Sequence, residues 1–333
     1  IIGAGRVGAS TAYSLLMNEV DTEITLIDIV QGLPQGEALD LNHAAAILGK
    51  SVTVNGSNDY KDMEGSDIVI ITAGLARKPG MTREQLAAQN AEIVAGIADQ
   101  VKKYAPNSIV MLTTNPSDVM VYVLYKRLKF PRERVIGFSG ALDTRRLAYY
   151  ASQIIGVSPS AIIPVVLGQH GENMYPVPEA SMVYGKPLSE FLTKEQIDEI
   201  VKKTIQAGAD ITNLRKFSSN WGPGAGLTIM ADAIKKDRKT VIEASVYLDG
   251  EYGVKDVFVE VPVVFGKRGA EKVIELNLNA EQRKKFMESV EAVRNNLKTV
   301  PPQYLQRTGN RPRGKEDKHQ AIKTHDFGGN NLV

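Results

Sequence analysis

Gly3, Gly5 and Gly8 form a Gly-x-Gly-x-x-Gly run at the head of the chain, IIGAGRVG, and few short patterns restrict a fold more. Glycines so spaced serve a tight turn, a close backbone approach to a pyrophosphate, and close packing of a helix on a strand. The run opens a helical segment, ASTAYSLLMNE, whose first amides would face an anion. A strand, EITLID, follows and ends in Asp28, twenty residues beyond Gly8. A carboxylate there can hold a pair of ribose hydroxyls and repel the extra phosphate of NADP. Alone the glycines are weak evidence, since glycine-rich turns are common. With helix, strand and acid in order, they predict NAD held by Gly3, Ala4, Gly5, Arg6, Val7, Gly8 and Asp28. A mononucleotide-binding or empty unit of the same kind is the alternative. Ile1 and Ile2 are too few for a strand, so the sequence shown is expected to start inside the first one.

The next stretch keeps the same rhythm. EITLIDI (23–29), SVTVNGS (51–57), SDIVIITAG (66–74), SIVMLTT (108–114) and RVIGFSG (134–140) read as strands, several of them almost continuously apolar. Parallel strands covered on both faces have that character. Between two of them, Leu86, Ile93, Val94, Ile97 and Val101 recur at helical spacing until Pro106 stops the run. The expectation is an α/β fold: an N-terminal Rossmann domain, doubly wound on a parallel sheet, over residues 1–140. From 141 to 298 the pattern becomes α+β with antiparallel strands. A helix from Thr193 to about Arg215 starts with a capping box (Thr193, Gln196), TVIEASVYLDGEYGVKDVFVEVPVVFG reads as a meander, and a closing helix runs from Ala280 to Lys298. No Pro/Gly/Ser-rich linker separates the halves, so close packing between them is expected. Residues 299–333 form a basic tail without apolar periodicity, a composition that stays disordered unless it rests on something such as a neighbouring subunit.

Composition narrows the function classes. The net charge of +2 argues against a nucleic-acid binder, which concentrates basic residues on one face. No apolar run reaches the roughly 18 residues of a membrane span. The absence of cysteine removes thiol nucleophiles, disulfides and cysteine-ligated metals. It suits a reducing interior, so cytoplasm is the default expectation. No histidine pair has metal-ligand spacing, and no metal is expected.

Several segments carry chemistry, each with a plain structural reading beside a functional one. Arg77, Lys78 and Arg83 flank the turn at Gly80 in ITAGLARKPGMTREQL; they read as solvated loop charges, or as cations on a lid beside the cofactor crevice. Asn115, in LTTNPSDVM, satisfies a turn or offers its amide to a substrate. Asp143 is placed to cap a helix and Arg146 to lie on its surface; alternatively they orient a base and grip an acid substrate. His170 follows the strongly apolar run IPVVLG and sits in a Gly-flanked turn, structural or catalytic. His43 is expected to pack or cap, and His319 and His325 fall in the tail.

Taken together, GAGRVG, the Asp28 strand end, GEALDLNHA, ITAGLARKPGMTREQL, TTNP, LDTRR and GQHGEN occur in the order and spacing of the lactate/malate dehydrogenase family. The resemblance spans residue 1 to about 298 and is closest to the lactate-dehydrogenase-like branch that acts on malate. It implies NAD-dependent, reversible oxidation of malate to oxaloacetate, a tricarboxylic acid cycle step, by a homo-oligomer, with a tetramer favoured over a dimer. By motif position, His170 resembles the proton donor and acceptor, Asp143 the acid that orients it, and Arg146 the grip on the substrate C1 carboxylate. Arg83 resembles the lid arginine that polarises the keto oxygen, Asn115 contacts substrate and cofactor, and Asn90, Thr113 and Thr114 lie near the cofactor. Ser219 is matched to the small end of the substrate pocket. Lactate-specific relatives carry an uncharged residue where this chain has Arg77, so that cation implies a second carboxylate on the substrate, a dicarboxylic acid. GQHGEN departs from the commoner Gly-Glu-His-Gly-Asp at Gln169 and Glu172, and Trp221 is a lactate-like feature. The rivals are a lactate or broad 2-hydroxyacid dehydrogenase, the family's NAD-dependent glycosidase cousin, which would need metal-ligating residues near the nicotinamide, and a scaffold without catalysis.

Overall fold

The computed structural model describes residues 1–76 and 80–305, apart from the side chain of Arg83. Strands and helices alternate as the apolar spacing predicts: α1 (Arg6–Met17), β1 (Glu23–Ile27), α2 (Leu33–Ile47), β2 (Thr53–Ser57), β3 (Ile68–Ile71), α3 (Arg83–Tyr104), β4 (Ile109–Leu112), α4 (Ser117–Leu128) and β5 (Val135–Gly137). Each strand is shorter than the run that announces it. Asp28, Thr72 and Thr113, each next after the last residue of its strand, still donate a backbone N–H to the neighbouring strand, and with Thr114 they bring the chain off the sheet at its carboxyl edge.

β1 pairs with β2, β3 with β4, and β4 with β5, all in parallel. Ile2 supplies the missing central position, bridging Ile27 on one side and Ile71 on the other. The strand order therefore reverses at Ile2, and the crevice at such a reversal is where ligands bind in open α/β sheets. Both faces are covered. α3 and α4 pack on one through residues such as Ala91, Val94 and Val123, and α1 on the other through Ala12 and Leu16.

Two glycines fix the crevice. Gly3 has φ +104°, and a Cβ there would lie 2.7 Å from the Ala73 nitrogen. A Cβ on Gly8 would lie 1.8 Å from the Gly3 carbonyl oxygen, which the helix start cannot yield without moving off the strand. Gly8→Ala is accordingly expected to destabilise the fold by about 3 kcal/mol or more, as overpacking against backbone does. It should also abolish tight NADH binding, read by thermal unfolding and by NADH fluorescence titration.

The remaining elements are α5 (Gly140–Ile155), β6 (Ile162–Ile163), β7 (Val166–Gly168), β8 (Met174–Pro176), β9 (Met182–Val183), β10 (Lys186–Pro187), α6 (Lys194–Arg215), α7 (Trp221–Lys235), β11 (Thr240–Asp249), β12 (Lys255–Gly266), β13 (Gly269–Val273) and α8 (Ala280–Leu297). The capping box at Thr193 and Gln196 is present, and β11 and β12 form the antiparallel meander, turning at Gly250 with φ +132°. The parallel sheet runs on without a break, in the order β3-β4-β5-β11-β12-β7-β8, with β13 on β12. Gly137 lies opposite Ser245 at the junction, where a Cβ would come 2.8 Å from the serine's own. The two halves thus share one sheet, and β7 is held where His170 can meet α4 and α5.

Three expectations need correction. Asp143 does not cap α5; the helix already starts at Gly140, with Ser139 before it, and Asp143 lies in its buried first turn. His43 neither packs nor caps but is exposed along α2. The tail does not begin unanchored at 299: Val300 is buried against the α3–α4 core, with Tyr304 and Leu305 packed beside it. Residues 306–333, with His319 and His325, lie outside the described residues.

Candidate active site

The site assembles along the carboxyl edge of the sheet. At the end of β1 the Asp28 carboxylate accepts the Ala4 amide (2.7 Å) and the Val30 amide (2.9 Å), which pins it against the glycine loop. Asn58 holds this corner from behind, donating to the carbonyls of Asp28 and Val30. Gly5 precedes α1 without any side-chain cap, and a Cβ on it would meet nothing within 4 Å. The first-turn amides of Arg6 and Val7 therefore border open space beneath a helix N-terminus, the arrangement that takes a phosphate. Arg6 stacks on Phe217 at 3.6 Å, and Arg215 lies over the same ring at 4.3 Å. These features fit a dinucleotide whose pyrophosphate lies on the α1 amides and whose ribose meets Asp28.

Asn90 is fully buried and works on the protein itself. Its amide donates to the carbonyls of Leu75 (3.2 Å) and Asn115 (2.7 Å), and its oxygen accepts from the Leu75 amide (2.8 Å). It thereby ties the loop after β3 to the loop after β4. Thr114 does the same with a 2.6 Å bond to the Ala73 carbonyl. Thr113 is partly open and Asn115 exposed at the edge, placing both where a ligand can reach them.

The chemical centre lies where α4, α5 and β7 meet. His170 Nδ1 is 2.6 Å from Asp143 Oδ2, and the other Asp143 oxygen accepts from Arg146 Nη1 at 3.1 Å. Asp143 is fully buried, whereas the Arg146 and His170 side chains are 12% and 20% exposed. The backbone of His170 is fixed as well. Its N–H donates to Asp118 Oδ2 (2.7 Å), and Ser245 donates to Asp118 Oδ1 (2.6 Å). Sequence reasoning missed Asp118, whose only signal is an acid in the first turn of a helix that runs apolar or aromatic from Val119 to Tyr125. Gln169, the departure in GQHGEN, is turned aside: its side-chain oxygen accepts from Asn173, and its backbone N–H donates to the Ser289 hydroxyl. His170 keeps its surroundings despite the altered motif.

Burial works against charging the imidazole, but the charge and hydrogen bond of Asp143, with help from Asp118, outweigh it. The pKa of His170 is therefore raised above its ordinary 6.5. Nε2 and the remaining Arg146 donors make no hydrogen bond among the described residues, so a titratable ring nitrogen and a cationic fork flank the same carboxylate. Ser219 is half-buried just before α7, near Leu142 across Gly222. Trp221 is 66% exposed. Arg77 lies outside the described residues, as does the side chain of Arg83, of which only the position at the start of α3 is given.

Comparison with known proteins agrees with this architecture. The family model for the lactate/malate dehydrogenase NAD binding domain matches residues 1–137, and that for the alpha/beta C-terminal domain of the same family matches residues 140–302. A malate dehydrogenase from Caldivirga maquilingensis is 77% identical over 305 residues, 92% of this chain and 99% of that protein. The solved malate dehydrogenase of Aeropyrum pernix superposes with a TM-score of 0.88 at 53% identity, covering 92% of this chain and 99% of that one. That of Plasmodium falciparum, in complex with NADH, does so with a TM-score of 0.84 at 32% identity, covering 92% and 98%.

Proposed function

The chain belongs to the lactate/malate dehydrogenase family and has NAD-dependent malate dehydrogenase activity, and we propose that His170, Asp143 and Arg146 are the residues with which it interconverts malate and oxaloacetate. The observation that carries this assignment is the buried Asp143 carboxylate, shared between the His170 ring and the Arg146 guanidinium.

Bound NAD supplies the carbon that takes up or releases hydride. The protein's part is position and proton. Arg146 spends one donor on Asp143 and keeps the rest of its fork for the C1 carboxylate, where two parallel bonds fix the reacting carbon. In malate oxidation neutral His170 takes the hydroxyl proton at Nε2 while Nδ1–H stays on Asp143. In the reverse direction the imidazolium returns that proton to the alkoxide oxygen, and Asp143 stabilises the charge on the ring. Asn115 contacts substrate at the exposed end of β4, and Arg83 polarises the keto oxygen from the start of α3. Thr113, Thr114 and Asn90 shape the wall nearest the nicotinamide, with Asn90 acting through the loops that it joins. Ser219 closes the small end of the pocket.

Arg77 is proposed to pair with the second carboxylate. A substrate that lacks one would leave this cation unmatched in a closed site, a penalty that polar sites convert into discrimination of about 10⁴-fold. NADH consumption should therefore be at least about 10³-fold more efficient with oxaloacetate than with pyruvate, and Arg77→Gln should lose most of that ratio. Equal rates on the two keto acids in the unaltered enzyme would overturn the Arg77 assignment.

A homotetramer and a cytoplasmic enzyme complete the reading. The family resemblance supports the first and the cysteine-free composition the second. No helix among the described residues is long and apolar enough to cross a membrane.

A further inference from the structure

Behind the His170–Asp143 pair lies a group that this mechanism does not use. Glu260, in the middle of β12, is fully buried, and neither of its carboxyl oxygens has a hydrogen-bond partner. The equally buried Ser139 hydroxyl, also without a partner of good hydrogen-bond geometry, lies beside it and is the weakest influence there, one that favours the carboxylate. Glu260 is paired in register with Gly168 of β7 and with Ser245 of β11, which sets it under the catalytic turn. One atom each of Asp143, His170 and Glu260 lie within 4.8 Å of one another.

The ionisable groups around it are mostly acids. Asp118 approaches from α4, Asp143 from α5 and Glu243 from β11. The cations of the cluster are His170 and, through Asp143, Arg146. α7 and α8, which also pack on β12, bury no ionisable side chain among the described residues. A carboxylate in that place would be desolvated and set against other acids, and both effects favour the neutral form over the weaker pull of the Ser139 hydroxyl toward the anion. Burial first, and then the charges of Asp143, Asp118 and Glu243, push its pKa well above the ordinary range.

We propose that Glu260 is a positioning residue for proton transfer: a carboxylic acid that keeps its proton in the neutral enzyme, and whose negative charge, gained in alkaline solution, holds the proton on His170. The inference rests on His170 being the proton carrier. At neutral pH the acid is uncharged and Asp143 sets the imidazole's charge with Asp118. When Glu260 releases its proton, a new anion within 4.8 Å raises the ring's proton affinity, by about one to two pH units at the effective dielectric of a protein interior. Keto acid reduction, which needs the imidazolium, then extends to higher pH than a lone His–Asp pair allows.

The test is the single-turnover rate of oxaloacetate reduction by NADH, followed from mildly acid to strongly alkaline pH in wild type and in Glu260→Gln, which copies the neutral acid. The two should agree within about twofold near neutrality, and the wild type should be about tenfold faster at the alkaline end, one pKa unit being tenfold in protonated ring. Superimposable alkaline limbs would make Glu260 a purely structural group and overturn the proposal. So would a lowered midpoint already at neutral pH in Glu260→Gln, which would mean that the residue is an anion throughout. His170→Gln in the same assay separates the two readings: if it turns over normally the proton carrier has been misassigned, and if it does not, the Glu260 profiles bear on Glu260 alone. Should Glu260→Gln fail to fold, infrared difference spectra of the wild type decide. A carboxylic acid band at the high frequency of an unbonded C=O, present at neutral pH and lost in alkali, supports the proposal, and its absence at neutral pH overturns it.

Discussion

Replacing His170 with glutamine should slow hydride transfer from NADH to oxaloacetate by about 10²–10⁴-fold, the range that a positioned general acid contributes. The loss belongs in kcat rather than KM, since the Arg146 fork and the α1 amides proposed to bind the two ligands are untouched. The ring also cannot be replaced locally. Its Nδ1 is committed to Asp143 and its backbone to Asp118, and the neighbouring Gln169 is held by Asn173 and Ser289. Stopped-flow NADH fluorescence with a deuterated cofactor reads the step directly. A variant within tenfold of wild type would remove His170 from the mechanism.

Asp143→Asn should be nearly as damaging, for two separable reasons. An asparagine amide can donate to Nδ1, which moves the ring proton to Nε2, the wrong place for taking a proton from malate. The electrostatics change too. The His170 pKa lies above its ordinary value because Asp143 outweighs burial, so neutralising Asp143 leaves burial opposed mainly by Asp118, and the pKa falls. Less imidazolium is then present at neutral pH, and the optimum for reduction shifts to the acid side. The expected loss is about 10²–10⁴-fold near neutrality, shrinking as the pH is lowered. A rate loss whose size is the same at every pH would point to disturbed packing, since Asp143 is fully buried, and not to the charge of the ring.

Much of this candidate site is legible in the residue types alone. Gly3, Gly8 and Asp28 occupy places where a Cβ clash or a loop-end carboxylate leaves few alternatives, and such constraints show in the residue types themselves. His170, Asp143 and Arg146 were named from motifs, and the structure brings them into contact through 2.6 and 3.1 Å bonds. Asp118 and Glu260 were not legible. One reads as an acid in the first turn of a helix. The other reads as a lone charge in the apolar run VFVEVP, where nothing tells whether it faces solvent, a partner or the active site. The motif gives Asn90 a place near the cofactor, but its bonds to the Leu75 and Asn115 backbone are revealed only by the crossing of the β3 and β4 ends.

Local pattern by itself determined the alternation of strands and helices, the capping box at Thr193, the meander at Gly250 and the glycine-lined crevice, because periodicity, caps and glycine sterics act over a few neighbouring residues. The tertiary structure decided the rest: that one sheet continues from β5 through Ser245 into the second half, and that acids from α4, α5 and β12 gather around one imidazole. The physical reason is distance along the chain. Desolvation and charge coupling depend on which remote segments are packed together, and Asp118, Asp143, His170 and Glu260 become neighbours only when the sheet has closed over them.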